Sequence, residues 1–306
     1  MSVEELKELQ AKIIKKEKKC NLIISIFVSI MLLIMLILFL LDIDFMVITV
    51  LAVIVVISLI IFVIVKAFLH GDDIQIFEKN FKNIFVKKAL EDNFENITYN
   101  PDKGFDEEFI DEIGMLDTAD RYHSNDLITG EYKGIKFECS DIHIQEEHES
   151  TDSDGNTTTT WVTIFAGKLM IFEFNKKFKA DLQVSSASFG AEDLPWGKKF
   201  SRVEMEDVEF NKNFSVYAES EHEAFYILTP HFMEKLKEIE EKINAGIMFC
   251  FVDNKLHIAL DNNKDSFEYN VYKPINEKEI EENIIKDIKT ITYFADELDL
   301  DNDLFK

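Results

Sequence analysis

The chain has 306 residues, 47% of them hydrophobic, with 33 basic and 58 acidic side chains and a formal net charge of −25. That balance excludes a nucleic-acid partner, which needs clustered Lys and Arg, and 10 Gly with 4 Pro exclude collagenous and linker-rich classes. Cys20, Cys139 and Cys250 are too scattered for a disulfide framework or a CxxC-type zinc site.

Residues 1–20 read as a basic amphipathic segment: Leu6, Leu9 and Ile13 share a helical face opposed by Lys12, Lys15, Lys16 and Lys19. Such a helix suits either an anionic leaflet or a charged flank that sets topology. Two uncharged apolar runs follow, residues 21–41 and 45–65. Each is long enough to cross a hydrocarbon core of about 30 Å as a helix. Only Asp42, Ile43 and Asp44 separate them, so the pair reads as a transmembrane hairpin with a short external turn. Lysines flank both outer ends and the turn has none. The positive-inside rule therefore expects both termini in the cytoplasm. The spans carry no ionisable side chain, which reads as an anchor rather than a transport pathway.

The six basic and six acidic residues before Lys66 cancel, so the rest of the chain carries the whole negative charge. Residues 66–120 read as a juxtamembrane helical segment. His70-Gly71 punctuates the end of the second span, Phe77, Phe81, Ile84 and Phe85 recur at helical spacing, and a short helix is expected at 106–116. Residues 121–306 read as a cytoplasmic domain. Ile135, Phe137 and Cys139 alternate after a Lys133-Gly134 turn, and β-rich patterning continues over 161–174, 179–188, 201–210 and 213–218. Ser220 with Glu223 caps a short helix, and Thr229-Pro230 starts another that buries Phe232, Leu236, Ile239 and Ile243. A hairpin over 247–252 and 255–260, a strand near 267–272 and a final helix capped by Asn276 complete the pattern. Strands with segregated helices indicate an α+β fold with an antiparallel sheet.

No phosphate-cradling, nucleophile-elbow or HExxH motif is present, so no enzyme activity and no cofactor are expected. Cys139, His143 and His148 with Glu146, Glu147 and Glu149 are the best metal-ligand types, but on one strand His148 points away from the others. That stretch reads as a solvated acidic strand end. Asp152 to Asn156 lacks the third acidic position of a calcium loop, Thr163 stands where its bidentate glutamate would fall, and the segment reads as a polar hairpin tip. Glu204, Glu206 and Glu209 with Asp207 read as the wet face of a strand. The candidate partner-binding residues are Trp196, Lys198 and Lys199, an aromatic beside two cations in a loop.

Several blocks carry a family resemblance: Asn125 to Gly130 leading into Gly134 to Phe137, Phe165-Ala166-Gly167 with Phe172 to Phe178, Val203 to Asp207, and Phe214 to Tyr217 through Ala224 to Pro230. With two spans ahead of them, they resemble the bacterial domain-of-unknown-function 3137 family over roughly residues 97–300. The resemblance implies a bacterial membrane protein with no established activity or catalytic residues. Members are often encoded near LemA-type membrane proteins, which implies a partner of that kind. The chain is thus expected to be a membrane-anchored adaptor or scaffold that binds a membrane or cytosolic protein and can self-associate. Ligand or lipid sensing is the alternative, and an enzyme of uncharacterised mechanism is a third reading.

Overall fold

The computed structural model describes all residues except 42–43, 154, 174–178, 190–199, 244, 253, 299 and 301–306. They divide into two compact units, 1–86 with 268–280, and 87–267 with 281–306.

The first unit is built on two long helices, α1 (Val3–Leu40) and α2 (Phe45–Phe81). Ser2 caps α1 reciprocally with Glu5, which satisfies two orphan N–H groups. Both helices are long and apolar enough to cross a membrane, and their apolar stretches are not buried within the protein. Leu22, Leu32, Leu33, Phe39, Val53 and Ile64 all stand exposed, the reverse of a soluble core helix. Polar contacts pair the helices beyond this belt: Lys66 bonds Glu17 and Asn21, and Asp73 takes Lys16 at 3.0 Å and Lys12 at 3.4 Å. The expected amphipathic face of 1–20 is covered from within the unit. Leu6, Gln10 and Ile13 are buried, and Gln10 Nε2 donates to the carbonyls of Val271 and Lys273 at 2.9 and 2.5 Å. Phe77 and Phe81 pack against Tyr269 in the same unit, with Phe81 and Tyr269 stacked at 4.8 Å between ring centroids.

The expected break at His70-Gly71 does not occur, and α2 runs through it. A Cβ at Gly71 would meet nothing within 4 Å, so the glycine sits in an ordinary helical turn without ending it. One turn of π-helix, Lys82–Val86, follows, and then α3 (Lys87–Asn93).

Among the described residues of the second unit, nine strands form one antiparallel sheet in the order β1-β2-β3-β4-β9-β8-β5-β7-β6. They are β1 (Glu95–Asn100), β2 (Arg121–Tyr132), β3 (Ile135–Thr151), β4 (Thr157–Glu173), β5 (Leu182–Ser186), β6 (Ser201–Val203), β7 (Phe214–Ala218), β8 (Gly246–Val252) and β9 (Lys255–Asp261). The fold is α+β, as the pattern expects. Lys133 and Gly134, both at positive φ, make the tight β2–β3 turn. Helices α4 (Glu107–Ile113), α5 (Phe210–Asn213), α6 (Glu221–Ile227), α7 (Pro230–Lys242) and α8 (Glu277–Glu297) complete the chain. Strand β8 divides the core by parity. Met248, Cys250 and Val252 join Ile110, Ile113 and Leu116 on one face, while Phe249 meets Phe294 of α8 and Phe251 meets Phe232 of α7 on the other.

Three local expectations are corrected. Residues 95–100, expected within a helical segment, form the edge strand β1. The strand expected over 201–210 stops at Val203, because Asp207 Oδ1 accepts the N–H groups of Glu209 and Phe210 and starts α5 instead. No strand forms near 267–272. There the N–H groups of Ser266 and Phe267 are claimed by the carboxylates of Asp141 and Asp287, and Phe267 adopts φ 61°, outside strand geometry.

Candidate functional site

Two features of the second unit stand out from a well-paired sheet: a buried charge cluster at its centre and a two-stranded ribbon projecting from it.

The cluster begins with two strands that each place one charge in an otherwise apolar run. Asp141 of β3 and Lys168 of β4 lie opposite each other in register, and Lys168 Nζ sits 2.6 Å from Asp141 Oδ1 with both side chains 3% exposed. The contact is a close ion pair outside hydrogen-bond alignment. Burial disfavours the Lys168 ammonium, but Asp141, Cys139 and Asp126 outweigh it, and the net shift of the amine is upward. The group is a fixed cation, unsuited to nucleophilic or base chemistry.

The β2 register slips between Asn125 and Ile128, and Asp126 there takes φ 56°, which turns its carboxylate inward. Tyr99 Oη and Asn125 Nδ2 donate to it. Asp141 also accepts from the Ser266 N–H at 2.6 Å, and the Phe267 ring lies 5.3 Å from the Lys168 ammonium. Nearby, Asp287 of α8 accepts the Phe267 N–H; burial pushes its carboxyl up, and this bond only partly offsets the rise. Asp126, Asp141 and Asp265 bring their carboxylates within 4.8 Å of one another. The ammonium of Lys168 already supplies the counter-charge there, so the arrangement is a polar clasp joining β2, β3, β4 and the segment at 265–267. A cavity of about 300 Å³ opens beside it, between His123, His143, Ala166 and Asp265.

The residues singled out from sequence fall as follows. Cys139 is buried, and burial pushes its thiol up to about 12, so it does not belong to a solvated strand end. His143 Nε2 meets Thr163 at 3.1 Å and His148 Nε2 meets Glu146 at 3.0 Å, so the two histidines have separate partners. Asp152 accepts both the backbone and the side-chain N–H of Asn156 and closes the hairpin tip. Glu204 and Glu206 are exposed around the buried Met205. Trp196, Lys198 and Lys199 lie outside the described residues.

The hairpin tip lies where the sequence places it, and what sequence reasoning missed is how far its two strands project as a ribbon. Strands β3 and β4 continue as partners from Gln145 with Thr163 out to Thr151 with Thr157. The neighbouring strands stop short of it: β2 ends opposite Gln145, and β9 ends opposite Gly167. All described residues from Glu146 to Ile164 are exposed, including Trp161, Val162 and Ile164. The Arg121 guanidinium lies 3.6 Å above the centre of the Trp161 ring and braces it at the ribbon's base. The two edges differ. The β3 edge carries Glu146, Glu147 and Glu149, whereas Thr157 to Ile164 on β4 is an uncharged run of Thr, Trp, Val and Ile. The uninterrupted β-propensity of TTTTWVTI was the available signal.

No curated protein matches the chain. A solved structure, the mycobacterial trehalose monomycolate transport factor A, TtfA, is similar over 73% of this chain and 94% of its own, at 11% identity and a TM-score of 0.38. Residues 163–300, from within β4 to just past α8, match the family described as "Protein of unknown function (DUF3137)", the family that the sequence blocks resemble.

Proposed function

We propose that the chain is a membrane-anchored interaction protein. Helices α1 and α2 hold it in a bacterial cell membrane, and the open β4 edge of the ribbon pairs with an extended segment of a partner protein. The observation that carries this reading is the uncharged edge Thr157 to Ile164, unpaired among the described residues. Soluble proteins guard such edges with charge or cover, because bare backbone groups template aggregation. Strand addition by a partner satisfies those groups and uses side-chain pockets for specificity. The lysine distribution supports cytoplasmic termini, so the partner is a membrane or cytosolic protein, with a LemA-type protein as one candidate. The reading is non-enzymatic. The buried ion pair and the raised Cys139 thiol support it, since both hold reactive groups in inert forms.

The test is a crosslinked pull-down of the full chain from native membranes, beside a variant in which an Asn-Gly turn replaces 147–161 and links Glu146 to Val162. Loss of a discrete partner in the variant supports the reading, and an unchanged partner list overturns it.

A further inference from the structure

A groove of about 510 Å³ lies between the end of α7, the loop after β9 and the middle of α8. Four charged residues line it and all are lysines: Lys242, Lys264, Lys286 and Lys289. In a chain where acids outnumber bases 58 to 33, an all-basic lining reverses the composition around it. The lysines come from three separate stretches, so no single helical periodicity produces the patch. Lys242 is held by Glu297, Nζ to Oε1 at 3.3 Å. Among the described residues, Lys264, Lys286 and Lys289 make no ion pair. Asp287 feels the Lys264 charge but spends its hydrogen bond on the Phe267 N–H, and Asp265 lies within the carboxylate cluster. The groove's floor is apolar, from Ile243 and Leu260, and the Tyr293 hydroxyl is enclosed there without an aligned hydrogen bond.

We propose that this groove binds a phosphorylated anion. Lysine ammonium groups are compact cations that meet phosphate oxygens in several geometries. The apolar floor and the Tyr293 ring suit the uncharged remainder of a ligand, and the volume lies within the usual range for small-molecule sites. The site is independent of the ribbon. Two sources offer the same chemistry, a soluble phosphorylated compound and a phospholipid headgroup.

The experiment is calorimetric titration of the full chain with inorganic pyrophosphate, in nanodiscs of phosphatidylcholine and then of phosphatidylglycerol. The site predicts saturable binding near one per chain that weakens as salt rises. Lys286→Glu with Lys289→Glu is expected to weaken it by about tenfold or more, since two attractive contacts become repulsive. Lys87→Glu with Lys88→Glu makes the same change in net charge on α3 and should alter affinity by less than about twofold. Equal affinity in both nanodiscs identifies a soluble ligand, and loss of pyrophosphate binding in phosphatidylglycerol identifies a headgroup. Thermal melting of each variant confirms folding. No saturable binding, or equal weakening by the two pairs of substitutions in folded protein, overturns the proposal.

Discussion

Lys168 and Asp141 face each other across the centre of the sheet, Nζ to Oδ1 at 2.6 Å, with almost no solvent access to either. Burying both charges costs desolvation energy that their attraction offsets only as a pair. Removing one partner therefore costs far more than removing both. Lys168→Ala should destabilise the protein by about 3–5 kcal/mol, whereas Lys168→Met with Asp141→Leu should stay within about 1–2 kcal/mol of wild type. Denaturant unfolding followed by tryptophan fluorescence measures both. Equal losses in the single and double variants would show that the clasp is not a charge pair.

This pair was legible in part. Phe165 to Phe172 is apolar apart from Lys168, and Cys139 to Ile144 holds one acid, Asp141. Lone opposite charges in two neighbouring buried strands call for each other. Their depth was not legible, because it depends on the covering segment at 266–267, whose N–H groups bond carboxylates instead of a strand ladder. The paired apolar helices, the caps at Ser220 and Thr229 and the stripe of α8 were readable from local chemistry alone. Strand β1 was not, since ENITYN is short, polar and paired on one side only. The ribbon was hidden for a different reason. Its strands have ordinary β patterning, and only the three-dimensional ends of β2 and β9 reveal that no described strand covers them.

His257 should make stability fall on mild acidification. It is buried on β9, and burial lowers its pKa to about 4 from an ordinary 6.5. The unfolded chain takes up the proton first, so stability is lost as pH falls from 6.5 towards 4 and then levels off. The full effect is about 3 kcal/mol, at about 1.4 kcal/mol per pKa unit. Asp261 and Asp287 act in the opposite direction: burial raises their pKa values, so stability is gained as pH falls through the folded values. The wild type must therefore be compared with His257→Gln. Their difference in unfolding free energy should shrink across that window. A constant difference would mean that His257 is not neutral in the fold.

Gly167→Ala should weaken the β4–β9 seam. A Cβ at Gly167 would lie 1.9 Å from the Leu260 carbonyl oxygen, and a backbone atom in a paired strand cannot rotate away. The expected cost is about 3 kcal/mol, at the upper end for overpacking. Faster amide exchange at Leu260 and Asp261 would locate the damage. A melting temperature equal to wild type would contradict the close approach.

Photocrosslinking tests the central claim, that the open β4 edge is a docking edge. A photoreactive phenylalanine analogue would replace Thr159 or Val162 on the ribbon, or exposed Tyr226 on α6 as a control, in full-length protein in native membranes. The account predicts one discrete protein adduct from both ribbon positions, absent from the control. The same adducts from all three positions, or none from the ribbon, would contradict it.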